Sequence, residues 1–137
     1  MFYKITKNKI GETMSNTVRT LVVDDSAFMR NILKKILSST DKYTVIGEAS
    51  SGKEAIEKAK ELKPDLITMD IVMPELDGIE ATRRIKKEFP DIKIVMCTSV
   101  DQEKKMIEAV EAGADGYVVK PFQAPKVLEQ LNKLFPD

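Results

Sequence analysis

The sequence predicts an α/β protein built on one doubly wound sheet of five parallel strands, with helices on both faces. Three observations carry that expectation. Short apolar, β-rich runs alternate with segments of helical periodicity. Five such strand-helix units fit within 137 residues, a length suited to one domain with a real core. Four of the runs stop at polar residues: Leu21-Val22-Val23 at Asp24-Asp25, Leu66 to Met69 at Asp70, Ile94 to Cys97 at Thr98-Ser99, and Tyr117-Val118-Val119 at Lys120-Pro121. Open α/β sheets bind ligands at the carboxyl ends of their strands. Three carboxylates, a hydroxyl and an ammonium are therefore expected to converge on one pocket.

The elements follow in order. A strand is expected over residues 19–24. Ser26 is a good N-cap for a first helix, with Phe28, Met29, Ile32, Leu33, Ile36 and Leu37 on one stripe. A second strand covers 43–49. The next helix follows Ser51-Gly52, faces Ala55, Ile56, Ala59 and Leu62 inward, and is closed by Pro64. The third strand is 65–69, and a Met73-Pro74 loop leads to a helix with Ile79, Thr82, Ile85 and Phe89 inward. Strand 93–97 precedes a helix over 102–112 that ends at Gly113, a natural C-cap. Strand 116–119 precedes a last helix starting near Pro125, where proline suits the first turn, and burying Val127, Leu128, Leu131 and Leu134. Right-handed crossovers then place helices on both faces.

Composition narrows the function. With 42% hydrophobic and 32% charged residues, the chain reads as soluble and globular. No apolar stretch or secretory leader argues for membrane insertion or export, so a cytoplasmic location is expected. Lys plus Arg and Asp plus Glu are 22 each, which gives nucleic-acid binding no support. Cys97, the single cysteine, excludes an internal disulfide and a multi-Cys zinc site, and reads as a small core residue. The absence of histidine excludes Ser-His and Cys-His nucleophilic sites, histidine metal ligation and a phosphohistidine donor role. Residues 1–17 are polar and aperiodic with a net charge of +2, leaving −2 on the remainder. They read as a flexible extension, or as sequence upstream of a start at Met14, with a basic docking arm as the alternative. Residues 18–137 form the expected domain.

Asp24, Asp25 and Asp70 would crowd negative charge at one sheet edge, which a hard divalent cation relieves. A cap on the first helix is a competing role for Asp24 or Asp25, but not for Asp70. A Walker loop is absent, and no Gly-rich phosphate-cradling loop follows the first strand. The set suits receipt of a phosphoryl group on a carboxylate. Asp70 would be the nucleophile, with Lys120 and Thr98 on phosphoryl oxygens.

These residues resemble the response-regulator receiver domains of two-component signalling, and among them the single-domain chemotaxis regulators, with the archaeal type favoured. LVVDDSAFMR is similar to the acidic pair and first helix, and MDIVMPELDG to the phospho-acceptor loop. CTS is similar to the hydroxyl switch, and EAGADGYVVKPF to the aromatic and lysine segment. The resemblance implies a flavodoxin-like fold with strand order 2-1-3-4-5. It implies phosphorylation of Asp70 and magnesium held by Asp25, Asp70 and the Val72 carbonyl, with Asp24 acting mostly through water. It further implies a Thr98–Tyr117 switch pair, phosphate pairing by Lys120, a cis Lys120–Pro121 bond, and Val72 and Val100 flanking the path of an attacking water.

By the same resemblance the chain is a monomeric phospho-acceptor, not an enzyme beyond its own phosphorylation and dephosphorylation. Its expected donor is a CheA-like chemotaxis histidine kinase. The output of a chain with no attached effector domain is expected to be protein contact through the fourth helix, fifth strand and fifth helix. Bacterial relatives carry lysines at the start of the fourth helix, where this sequence has Gln102 and Glu103. That difference directs the expectation from a bacterial motor switch protein to an archaellum adaptor of the CheF kind. Residues 101–111 carry a net charge of −2, which favours a partner with a basic patch. The alternatives are a phosphorelay intermediate and a phosphorylation-independent adaptor.

Overall fold

The computed structural model describes residues 17–137 and two short segments before them, Ile5–Lys7 (β1) and Thr13–Ser15 (β2). β1 and β2 pair antiparallel, with Thr6 opposite Met14, a hairpin ladder that an aperiodic polar segment did not announce. The rest of the expected flexible extension lies outside the described residues.

The main sheet comprises β3 (Val18–Val23), β4 (Tyr43–Ala49), β5 (Leu66–Asp70), β6 (Lys93–Thr98) and β7 (Gly116–Val119). All its pairings are parallel and the order is β4-β3-β5-β6-β7. Counted from the first sheet strand, this is the expected 2-1-3-4-5 arrangement. The helices are α1 (Ala27–Ser38), α2 (Gly52–Leu62), α3 (Gly78–Glu88), α4 (Glu103–Glu111) and α5 (Ala124–Leu134).

Alternation along the strands divides the core between the two faces. Leu21, Ile67, Met69, Ile94 and Met96 pack with Ala55 and Ala59 of α2, Ile79 and Ile85 of α3, and Ala109 of α4. Val22, Leu66, Val95 and Val118 pack with Leu33 and Leu37 of α1 and Val127 and Leu131 of α5. β5, central in the sheet, is buried along its whole length, which accounts for its unbroken apolar run. The caps follow local chemistry. Ser26, Ser51 and Asp77 each accept a hydrogen bond from a backbone N–H in the first turn of α1, α2 and α3.

Two side chains depart from expectation. Phe28 was assigned to the apolar stripe of the first helix but is 71% exposed. It lies about 140° around the helix from buried Leu33, because five residues overshoot one turn. Phe135, just past α5, is fully buried against the α1–α5 face, a core position that helical periodicity alone did not mark.

Candidate functional site

Four parallel strands deliver the candidate residues to one edge. Asp24 and Asp25 follow β3, Asp70 ends β5, Thr98 ends β6, and Lys120 follows β7. The register Val23↔Met69, Asp70↔Cys97 and Thr98↔Val119 brings these ends level. Carboxylate oxygens of Asp24, Asp25 and Asp70 lie within 4.8 Å of one another.

Their surroundings differ. Asp24 Oδ1 accepts the Ser26 N–H at 2.9 Å, while Oδ2 accepts from Lys120 Nζ at 3.0 Å. Ser26 itself caps α1, so the aspartates are not needed as its N-cap. Asp70 Oδ1 accepts from Ile71 N at 3.0 Å and from Lys120 Nζ at 3.2 Å. Asp25 is exposed, and no described hydrogen bond ends on its carboxylate. Its oxygens are open to a cation, whereas Asp24 is already engaged by the protein.

Electrostatics single out Asp70. Burial pushes its carboxyl up to about 6, with the charge on Asp24 adding to the rise and Lys120 opposing it. Burial also works against the Lys120 charge, but its bonds to Asp24 and the field of Asp70 outweigh this and raise the ammonium. A crowded acidic site whose charge is disfavoured, with one carboxylate open to solvent, is a donor set suited to a hard divalent cation. Burial pushes the Cys97 thiol up as well, consistent with a core residue rather than a nucleophile.

The loop from β5 to α3 is held against the start of α2. Gly52 N donates to Leu76 O at 2.9 Å and Lys53 N to Glu75 O at 3.0 Å, while Gly78 N donates to Ile71 O at 2.8 Å. Glu75 and Leu76 both have positive φ, 48° and 82°. A Cβ at Gly78 would lie 1.9 Å from the Asp70 carbonyl oxygen, and one at Gly52 2.1 Å from that of Leu76. Only glycine permits these approaches, so both residues hold the β5–α3 loop in place. The Asp77-Gly78 pair before a helical stripe was the available sequence signal for one of them. Val72 stands on this loop, 54% exposed, beside the acidic site in sequence.

Thr98 and Tyr117 occupy contrasting environments. Thr98 is buried, and its Oγ1 donates toward Ser99 O and Gln102 Oε1, both at 3.1 Å. Tyr117 is 51% exposed and borders an apolar groove with Val100, Met106, Ile107, Val110 and Val119. The Lys120–Pro121 bond is cis. Sequence reasoning missed two supporting residues. Gln102 reaches back to Thr98, as described below. Arg30 donates to the Asp24 carbonyl at 2.7 Å and to Glu48 Oε1 at 2.9 Å, bracing the acidic turn from α1.

Fold and site together define a parallel α/β protein with an acidic pocket at its strand ends, and comparison gives the family: residues 20–132 match the response regulator receiver domain, and the chain belongs to that family. It is a CheY-like receiver. Over 116 residues it is 53% identical to the chemotaxis protein CheY of Thermotoga maritima, covering 85% of this chain and 96% of that protein. Over 114 residues it is equally 53% identical to the chemotaxis protein CheY of the archaeon Halobacterium salinarum, covering 83% and 93%. The fold superimposes on CheY in the CheX–CheY–BeF3–Mg complex of Borrelia burgdorferi with a TM-score of 0.81, at 30% identity, over 87% of this chain and 90% of that one. Among the described residues, no helix is long and apolar enough to cross a membrane.

Proposed function

We propose that this protein is a cytoplasmic, monomeric response regulator of chemotaxis, phosphorylated on Asp70 by a CheA-like histidine kinase in a magnesium-dependent reaction. The observation that carries the reading is the convergence of Asp24, Asp25 and Asp70 with a lysine that binds two of them. Asp70 attacks the phosphorus of the donor, and the P–N bond to the donor imidazole breaks with its electrons leaving on nitrogen. Lys120 offers its charge to a phosphoryl oxygen, and Thr98 its hydroxyl to another. Asp25, Asp70 and the Val72 carbonyl would hold magnesium, with Asp24 behind them, and the ion would neutralise phosphoryl charge. The chain is a phospho-acceptor, not an enzyme acting on other substrates.

Output follows from the added charge, about −1.5 to −2 with three acceptor oxygens. Thr98 turns toward the phosphate, Tyr117 moves inward from its exposed position, and the α4–β7–α5 face changes its affinity for a partner. That partner is a motor component, with a CheF-like archaellum adaptor the first choice. Incubating the chain with a phosphorylated chemotaxis kinase tests the donor assignment. Transfer is expected with magnesium and not with a chelator. Retention of the label on the kinase under both conditions would sink it. Capture of a motor adaptor only with a phosphate mimic separates this role from an adaptor that needs no phosphate.

The lifetime of the phosphoprotein is also predictable. Val72 and Val100 are both exposed, and neither side chain orients water by hydrogen bonding. Val72→Asn is expected to speed phosphate loss several-fold, read as decay of labelled protein after removal of the donor. Unchanged or slower decay would count against a role for this position in water access.

A further inference from the structure

Gln102 stands at the N-cap position of α4, yet its side chain makes no capping bond to that helix. It reaches back to the end of β6 instead. Its Oε1 accepts the Ser99 N–H at 3.1 Å and the Thr98 hydroxyl at 3.1 Å. Because Ser99 N can only donate, the amide must turn its oxygen, not its nitrogen, toward this corner. The Thr98 hydroxyl is then the donor to that oxygen, its single proton shared with the Ser99 carbonyl, also at 3.1 Å. A main-chain bond from Gln102 N to Ser99 O at 3.1 Å closes the same turn. The Thr98 backbone is fixed independently, since its carbonyl accepts from Lys120 N at 2.7 Å. Side-chain rotation is therefore the motion left to the hydroxyl.

We infer that Gln102 is a positioning residue for Thr98, holding its hydroxyl toward α4 in the resting protein and setting the threshold that phosphate must overcome. The inference rests on the reading of Asp70 as phospho-acceptor. One proton cannot serve both Gln102 and a phosphoryl oxygen fully. A charged phosphoryl group is the stronger acceptor, so its arrival draws the hydroxyl away. The loss of that bond frees a residue that belongs to the start of α4. The chemistry of the acceptor site is thereby linked to the helix beside the apolar groove by a single side chain.

The test uses the full chain and three substitutions. Gln102→Met keeps the length of the side chain and removes the strong acceptor. It is expected to bind beryllofluoride with magnesium roughly threefold or more tightly than wild type. Gln102→Glu presents a stronger acceptor to both donors and is expected to bind it more weakly. In a Thr98→Ala background, Gln102→Met is expected to have no effect, because the latch acts through the hydroxyl. Binding is read from backbone amide shifts of the assigned protein, whose spectra also verify that each variant is folded. A purely structural role for Gln102 would weaken binding in both single variants and persist without Thr98. Normal wild-type binding with unchanged or weaker binding by Gln102→Met overturns the latch alone. Absence of beryllofluoride binding by the wild type overturns the acceptor reading and the latch with it.

Discussion

Asp70→Asn is expected to take up no phosphate at position 70 and, in metal-free buffer, to be more stable than the wild type. The first effect follows from chemistry, since an amide oxygen is a poor nucleophile where a carboxylate is required. The second follows from the cost of holding that carboxylate in place. Asp70 is 7% exposed, and burial raises its carboxyl from 3.8 to about 6. Between those values the folded state binds more protons than the unfolded chain, so stability falls as pH rises through this window. Above about pH 6 the penalty is fully present. The asparagine variant escapes it, with a gain on the order of 1 to 3 kcal/mol. The gain should shrink below pH 6 and vanish only well below the ordinary carboxylate value of 3.8, where the Asp70 carboxyl is protonated in both states. It should also shrink when magnesium is added, because the ion favours the wild-type site. Urea unfolding at several pH values, with and without magnesium, measures all of this. Equal stability of the two proteins at neutral pH would contradict the account of Asp70 as an electrostatically disfavoured group.

Lys120→Met is expected to lower both stability and phosphorylation. Nζ lies 3.0 Å from Asp24 and 3.2 Å from Asp70, and both acids are largely buried. Removing the ammonium leaves two facing carboxylates with no described counter-charge. Breaking a fully buried pair costs about 3 to 5 kcal/mol, and the partial exposure of Lys120 brings the expected loss to about 1 to 3 kcal/mol. Magnesium should restore most of it, since a cation replaces the missing charge. Phosphorylation should stay slow even so, by roughly a hundredfold, because the phosphoryl oxygen has lost a positioned donor. Stability unaffected by the substitution, or loss that magnesium does not repair, would mean that Lys120 is not the resting counter-charge of the site.

Much of this architecture was legible in the sequence because its signals are local and periodic. The strands at residues 43–49 and 116–119 were expected with the boundaries found. Asp70, Thr98 and Lys120 stand at the abrupt end of an apolar run, a signal strongest in β5 and β6, whose faces are both buried, and weaker in the edge strand β7, where Tyr117 and Val119 are exposed. What was not legible depends on contacts between distant segments. Gly52 supports the acceptor loop through a carbonyl 24 residues away, and nothing adjacent to it indicates that contact. Arg30 and Gln102 are polar residues of ordinary surface type, and their reach back to Asp24 and Thr98 depends on helix placement and rotamer. Phe28 departs from expectation because its apolar side chain lies at the margin of the stripe, turned away from the buried Leu33. The hairpin formed by β1 and β2 is set by pairing of two polar segments, which carry no alternation to reveal it.

The central claim is that Asp70 is the magnesium-dependent phospho-acceptor. The most direct test is to incubate the protein with a small phosphodonor, with magnesium or with a chelator, and to map the product by mass spectrometry after reductive trapping of the acyl phosphate. The account predicts one modified residue, Asp70, only when magnesium is present. Phosphate on another residue, or on Asp70 to the same extent without magnesium, would contradict it.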